Sequence, residues 1–278
     1  MTRAGFACLV GRPNAGKSTL TNALVGHKVA ITSDKPQTTR HTIRGLVHRE
    51  AGQLVLVDTP GVHKPRTLLG ERLNELVRAT WAEVDAIIMC IPANEPVGPG
   101  DRFIATEIAA MRRTPKVAVI TKVDLVDRET IAERLLEVDQ MAKDLGFEWA
   151  QLVPTSAKRG EQVEVLIEQL IPLMPQSPPL YPSGEISDEP EETLIAELIR
   201  EAALDGVRDE LPHSIAVVIE EMIPREDRPE DDPMIDVYAT LYVERDSQKA
   251  IVIGRGGERL RTVGSRARQS IQPILGCK

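Results

Sequence analysis

The sequence predicts an α/β protein with a mostly parallel sheet, followed by a smaller α+β unit. Three observations carry this. Short apolar, β-branched runs alternate with longer amphipathic stretches from residue 6 to about residue 172. Six prolines then fall among the 19 residues from Pro172 to Pro190, a density that reads as a stiff, extended linker. Beyond it come a helical pattern, two stretches of strand-like alternation, and a helix, glycine loop and helix. The expected organisation is a first domain over 1–172, a linker over 173–190 and a second domain over 191–278.

In the first domain, strands are expected at 6–10, 44–48, 54–57, 86–91, 116–120 and 151–154, with helices at 18–25, 68–83, 101–112, 128–145 and 161–173. Continuously apolar strands separated by helices imply a sheet covered on both faces. Ligands of such sheets sit at the carboxyl ends of the strands. In the second domain a helix is expected at 193–206, strands at 213–223 and 234–243, and the helix–loop–helix at 249–275.

Composition bounds the function classes. A chain of 278 residues is long for one domain, and 42% apolar content supports a substantial core. No run of eighteen apolar residues exists to cross a bilayer, and the start lacks the pattern of a signal peptide. Cys8, Cys90 and Cys277 are scattered, which suits a reducing cytoplasm and supports neither a zinc site nor a disulfide framework. The net charge of −8 argues against coating nucleic acid with the whole surface, yet the charge is unevenly placed. From 185 to 236 there are 18 acidic and 4 basic residues, a net of −14; from 245 to 278 there are 8 basic and 2 acidic, a net of +6. A basic end on an acidic protein marks a local site for an anionic partner.

Four short motifs each follow an expected strand. Gly11-Arg12-Pro13-Asn14-Ala15-Gly16-Lys17-Ser18 lies between a strand and a helix, the context of a phosphate-binding loop. Its backbone N–H groups would wrap phosphates, assisted by the helix N-terminus. Lys17 would reach the outer phosphates, and Ser18 would offer its hydroxyl to Mg²⁺. Asp58-Thr59-Pro60-Gly61 follows the third strand; Asp58 is placed to hold Mg²⁺ through water, and the Gly61 N–H to bond a γ-phosphate oxygen. In Thr121-Lys122-Val123-Asp124, Asp124 would accept two hydrogen bonds from the guanine edge, which adenine cannot donate. Lys122 would lie over the base. Thr155-Ser156-Ala157-Lys158 would meet the guanine oxygen through backbone N–H groups.

Together these residues resemble the Ras-like GTPases over 1–172. With Pro36-Gln37-Thr38-Thr39-Arg40-His41, and Val62-His63 after the DTPG element, they resemble the bacterial Era-type GTPases. The resemblance implies a GTP/GDP site of Gly11, Pro13, Asn14, Ala15, Gly16, Lys17, Ser18, Thr19, Asp58, Gly61, Thr121, Lys122, Asp124, Ser156, Ala157 and Lys158. It implies Mg²⁺ held by Ser18, Asp58 and Thr39, with Thr38 second to Thr39, and catalytic roles for Lys17, Asn14 and Thr39. Asn14 further implies K⁺ beside the phosphates, where a cation would replace an arginine finger. Two departures stand out. Thr121 replaces the usual asparagine that ties the base loop to the phosphate loop, so a weaker hold on nucleotide is expected. Val62 stands where some GTPases have a glutamine that orients water, so hydrolysis must rely on something else.

In the second domain, Gly254-Arg255-Gly256-Gly257 between two helices resembles the KH domain, whose glycine loop brings backbone against four nucleotides of single-stranded RNA. The candidate RNA-binding residues are Lys249, Gly254, Arg255, Gly256, Gly257 and Arg259. Aromatics form only 3% of the chain, so backbone clamping is expected rather than extensive stacking. The KH order of this family ends on a strand that this chain, ending at Lys278, does not contain; an open sheet edge and reduced RNA affinity are expected. By resemblance the RNA is the 3′ end of 16S ribosomal RNA, and the role is assembly of the small subunit. A monomer in the cytoplasm, with peripheral association at the inner membrane, is also implied. The alternative reading is a GTPase switch whose second domain docks a protein or membrane partner.

Overall fold

The structure, a computed structural model, describes residues 2–32, 43–58, 78–205, 215–229 and 232–277. The chain divides into two compact units, Met1–Ala30 with Thr39–Asp188, and Ile31–Thr38 with Glu189–Lys278.

The first unit is built on a six-stranded sheet in the order β2-β3-β1-β4-β5-β6. Its strands are β1 (Arg3–Val10), β2 (Ile43–Arg49), β3 (Gly52–Asp58), β4 (Ala86–Pro92), β5 (Lys116–Thr121) and β6 (Gln151–Pro154). All pairings are parallel except β2 with β3. The helices are α1 (Lys17–Val25), α2 (Pro99–Ala109), α3 (Arg128–Asp144) and α4 (Val163–Leu170). Residues 78–83 are also helical; the rest of the helix expected at 68–83 lies outside the described residues. Helix α3 starts where Asp127 accepts from the Thr130 N–H, an N-cap that satisfies one orphan donor of the first turn.

Strands β3, β4 and β5 are buried along their whole length, which explains their unbroken apolar sequences. Alternate residues feed two cores. Cys8, Val57, Ile87, Met89, Ile91 and Ile120 belong to one with Trp81 and α2. Leu9, Leu56, Ile88 and Val119 belong to the other with α1 and α4.

The proline-rich stretch, expected as a stiff, extended linker, pairs with the first unit's sheet. It lies along β2, the edge strand, with the Leu46 N–H donating to the Ile186 carbonyl at 2.9 Å and Gly45 bridged to Ser187. Arg44 and the Tyr181 hydroxyl both reach Asp188 Oδ2, at 2.8 and 3.0 Å. Buried Gln53 accepts from the N–H groups of Leu180 and Tyr181 and donates to the Tyr181 carbonyl. The stretch thus covers a sheet edge that would otherwise present unpaired N–H and C=O groups. The first compact unit accordingly runs on to Asp188.

The second unit contains α5 (Glu191–Leu204), an antiparallel pair β7 (Ile215–Pro224) and β8 (Ile235–Val243), then α6 (Asp246–Ile253) and α7 (Glu258–Leu275). Leu194, Ile195, Leu198 and Ala203 of α5 pack with Val263, Ala267 and Ile271 of α7 against Ile215, Ile219 and Leu241 of the strands. Among the described residues, no helix is long and apolar enough to cross a membrane.

Candidate functional site

The phosphate loop turns out of β1 on two left-handed glycines. Gly11 has φ 152° and sits so close to β4 that a Cβ would lie 2.7 Å from the Cys90 carbonyl oxygen. Gly16 has φ 91° and starts α1. Asn14, at the exposed apex, is left-handed at φ 61° without being glycine, a conformation that costs energy and is retained where geometry demands it. Inside the loop, Lys17 Nζ donates to the carbonyls of Gly11 and Arg12, both at 3.1 Å.

Asp58 ends β3 beside the loop. The register that pairs it with Leu9 brings its carboxylate to the first turn of α1, where Ser18 Oγ donates to Asp58 Oδ2 at 2.7 Å. Asp58 Oδ1 is buried and has no hydrogen-bond partner among the described residues. A hydroxyl and a carboxylate with a spare buried oxygen form a hard oxygen set that suits Mg²⁺. Burial pushes the Asp58 carboxyl above its ordinary range, opposed by the Lys17 charge and the Ser18 hydrogen bond. Burial likewise pulls Lys17 down, opposed by Asp58. The Cys90 thiol beneath the loop is pushed up to about 12 by burial and stays protonated.

The base-binding elements meet at the ends of β5 and β6. Thr121 closes β5, and its Oγ1 donates to the Ala15 carbonyl at 2.6 Å. Threonine, shorter than the usual asparagine, thus still ties β5 to the phosphate loop. Lys122 is left-handed at φ 59°, which turns the chain into the 3-10 turn Val123–Leu125. Ser156, buried after β6, donates from Oγ to Asp124 Oδ1 at 2.7 Å. That bond fixes the rotation of the carboxylate expected to read guanine. Ala157 is half-buried behind it, and Lys158 and Thr19 are exposed.

Sequence reasoning missed Arg12. Its guanidinium pairs with Glu95 Oε2 at 2.7 Å and with fully buried Asp101 Oδ1 at 3.1 Å, while Asp101 Oδ2 accepts the Gly98 N–H before α2. No local pattern signals this, because the partners lie more than eighty residues away in the chain. Gly61, Thr38, Thr39 and Val62 lie outside the described residues.

In the second unit the loop from Gly254 to Gly257 joins α6 to α7. Gly254, Gly256 and Gly257 have φ of 73°, 59° and 78°, and a Cβ on Gly254 would fall 2.7 Å from Arg259 Cβ. Arg255 is exposed. Lys249, also exposed, pairs with Asp246 at 2.8 Å. Arg259 differs from expectation: its Nη2 donates to the carbonyls of Ala203 and Asp205 at 3.1 and 3.0 Å, so it caps the end of α5. Arg266 pairs with the Asp205 carboxylate at the same corner.

A phosphate loop with Gly-Lys-Ser, a carboxylate of the Mg²⁺ type and a serine-held aspartate at the base pocket define a P-loop GTPase fold, here followed by a KH-type unit. Comparison with known families agrees. The family described as 50S ribosome-binding GTPase matches residues 6–122, and the KH domain matches 210–278. Over 274 residues the chain is 66% identical to the GTPase Era of Streptomyces coelicolor, covering 99% of this chain and 86% of that one. It is 62% identical over 277 residues to the GTPase Era of Mycolicibacterium paratuberculosis, covering 99% and 90%. Two solved structures, each 34% identical with a TM-score of 0.89, cover 99% of this chain and 90% of theirs. One is Era in complex with MgGDPNP and nucleotides 1506–1542 of 16S ribosomal RNA; the other is an Aquifex aeolicus Era variant bound to GDP and aluminium fluoride. The chain belongs to the Era family of GTPases.

Proposed function

We propose that this chain hydrolyses GTP and binds the 3′ end of 16S ribosomal RNA during maturation of the small ribosomal subunit. The observation that carries the reading is the glycine loop from Gly254 to Gly257, with Arg255 exposed, in a chain that also holds a serine-oriented Asp124 and a phosphate loop. Left-handed glycines allow a nucleic-acid backbone closer than side chains would permit. An Era structure 34% identical to this chain is bound to that region of 16S ribosomal RNA.

In the GTPase site, the Lys17 ammonium leaves the carbonyls of Gly11 and Arg12 to meet the β- and γ-phosphates, and backbone N–H groups of 14–18 hold the rest. Ser18 and Asp58 would hold Mg²⁺, which supplies charge neutralisation on the phosphate oxygens. Thr39 and Gly61 are assigned by position to that metal shell and to the γ-phosphate. Asp124 accepts from guanine, Ser156 keeps it oriented, and Lys122 covers the base. Asn14, at the loop apex, is assigned to a K⁺ that balances transition-state charge. Turnover in KCl should exceed that in NaCl at equal ionic strength; equal rates, with Asn14→Asp also neutral, remove the assignment.

Filter binding of single-stranded 16S 3′-end fragments across a salt series tests the RNA reading. Affinity should fall steeply with salt and be lost in Gly256→Asp, while GTP binding persists. Salt-independent binding, or wild-type binding by the variant, would leave the protein-docking alternative in its place.

A further inference from the structure

We propose that the outer face of the β7–β8 pair is a docking surface for a protein segment in which lysine and arginine flank apolar side chains. The strands send Ile219, Met222, Val237, Leu241 and Val243 inward to the core. Four of their outward residues are aromatic or aliphatic. Tyr238, Tyr242, Val218 and Ile223 are 53%, 52%, 46% and 42% exposed. The register places Tyr242 opposite Ala216, Thr240 opposite Val218, and Tyr238 opposite Glu221. Side chains on one strand face alternate, so the two tyrosines share a surface with Val218 between them on the neighbouring strand. The chain has only 3 tyrosines, and 2 of them stand here. Tyrosine offers a large contact area with few torsions to freeze, which is why it recurs at the centres of interfaces.

Charge complementarity selects the partner. Exposed Glu220 and Glu221 flank the apolar centre, with Glu221 directly opposite Tyr238. Arg225, which follows the end of β7, is already paired with Asp236 at 2.8 Å. Glu220 and Glu221 belong to a sequence stretch, 185–236, that carries a net charge of −14. Carboxylates around tyrosine repel nucleic-acid phosphate and attract a basic segment. The inference stands on this face alone and does not require the RNA assignment of the glycine loop.

The test is fluorescence anisotropy of a short labelled peptide alternating lysine and arginine with leucine, titrated with the full chain at fixed ionic strength. Tyr238→Ser/Tyr242→Ser should weaken binding by about tenfold or more, whereas Tyr238→Phe/Tyr242→Phe should largely retain it. Glu220→Gln/Glu221→Gln should also weaken binding. Glu191→Gln/Glu192→Gln, on the first turn of α5, should leave it unchanged. The proposal is overturned if the peptide does not bind, or if the α5 pair matters as much as the strand pair, which means bulk charge alone. It also fails if the serine variant loses 16S-fragment binding, which makes the face an RNA platform, or if that variant abolishes a concentration-dependent dimer, which makes a second copy the occupant.

Discussion

Thr121 Oγ1 donates to the carbonyl of Ala15 at 2.6 Å, joining the end of β5 to the phosphate loop. Both residues are buried. A buried carbonyl that loses its donor costs about 1–3 kcal/mol, and here the cost falls on the loop that must grip phosphate. Thr121→Val, equal in shape but without the hydroxyl, should raise the dissociation rate of labelled GDP by roughly tenfold while leaving guanine selectivity intact. Stopped-flow displacement measures this. An unchanged rate would mean that the loop is held without the tie.

Arg12 gives a second prediction. Its guanidinium neutralises Asp101, which is wholly buried and also orders the start of α2. Removing one partner of such a pair strands the other charge away from water. Arg12→Gln should therefore destabilise the protein by about 1–3 kcal/mol in urea unfolding, and Asp101→Asn should partly restore the loss when combined with it. Additive effects in that double-mutant cycle would show that the two residues do not act as a pair.

Arg255 and Arg259 should behave differently although charge counting treats them alike. Arg255 is exposed, whereas Arg259 is committed to the Ala203 and Asp205 carbonyls. Arg255→Ala should reduce the slope of log affinity against log salt by about 1 with no change in melting temperature. Arg259→Ala should lower the melting temperature and keep the salt slope. A reduced slope for Arg259→Ala would return that residue to the phosphate contacts.

The contrast between these arginines indicates what the sequence makes legible. The strands of the first unit are readable because burial on both faces demands apolar runs, and the motifs are readable because each follows a strand end. Strand limits moved outward where a polar residue is buried with distant partners. Gln53 looks like a solvent residue, yet Leu180 and Tyr181 satisfy it from across the fold. The proline-rich stretch reads as a spacer because composition reports stiffness and not what the backbone pairs with. Arg12, Ser156 and Arg259 have roles set by partners 32 to 89 residues away, which no local pattern encodes.

The final prediction concerns the two buried charges. Asp58 is raised from an ordinary 3.8, so between that value and its folded-state value the folded chain holds a proton that the unfolded chain has released. This group's contribution to stability therefore falls as pH rises through that window. Lys17 is lowered from 10.5, so the folded chain gives up a proton that the unfolded chain keeps, and its contribution recovers only as pH rises toward 10.5. Near neutral pH both charged forms cost stability in the nucleotide-free protein, each partly offset by the other. Lys17→Met/Asp58→Asn should melt a few degrees higher than wild type without nucleotide near pH 7. Below about pH 3, where Asp58 is protonated in both states, its share of that gain should vanish, while the share due to Lys17 remains because its burial cost is fully present at low pH. The same variant should gain nothing from added GTP and Mg²⁺, whereas wild type should gain several degrees. Thermal melts across the pH series, with and without nucleotide, check both parts. A variant that melts below wild type throughout would mean that the pair stabilises the empty loop, and that Lys17 is not held there at a cost that phosphate relieves.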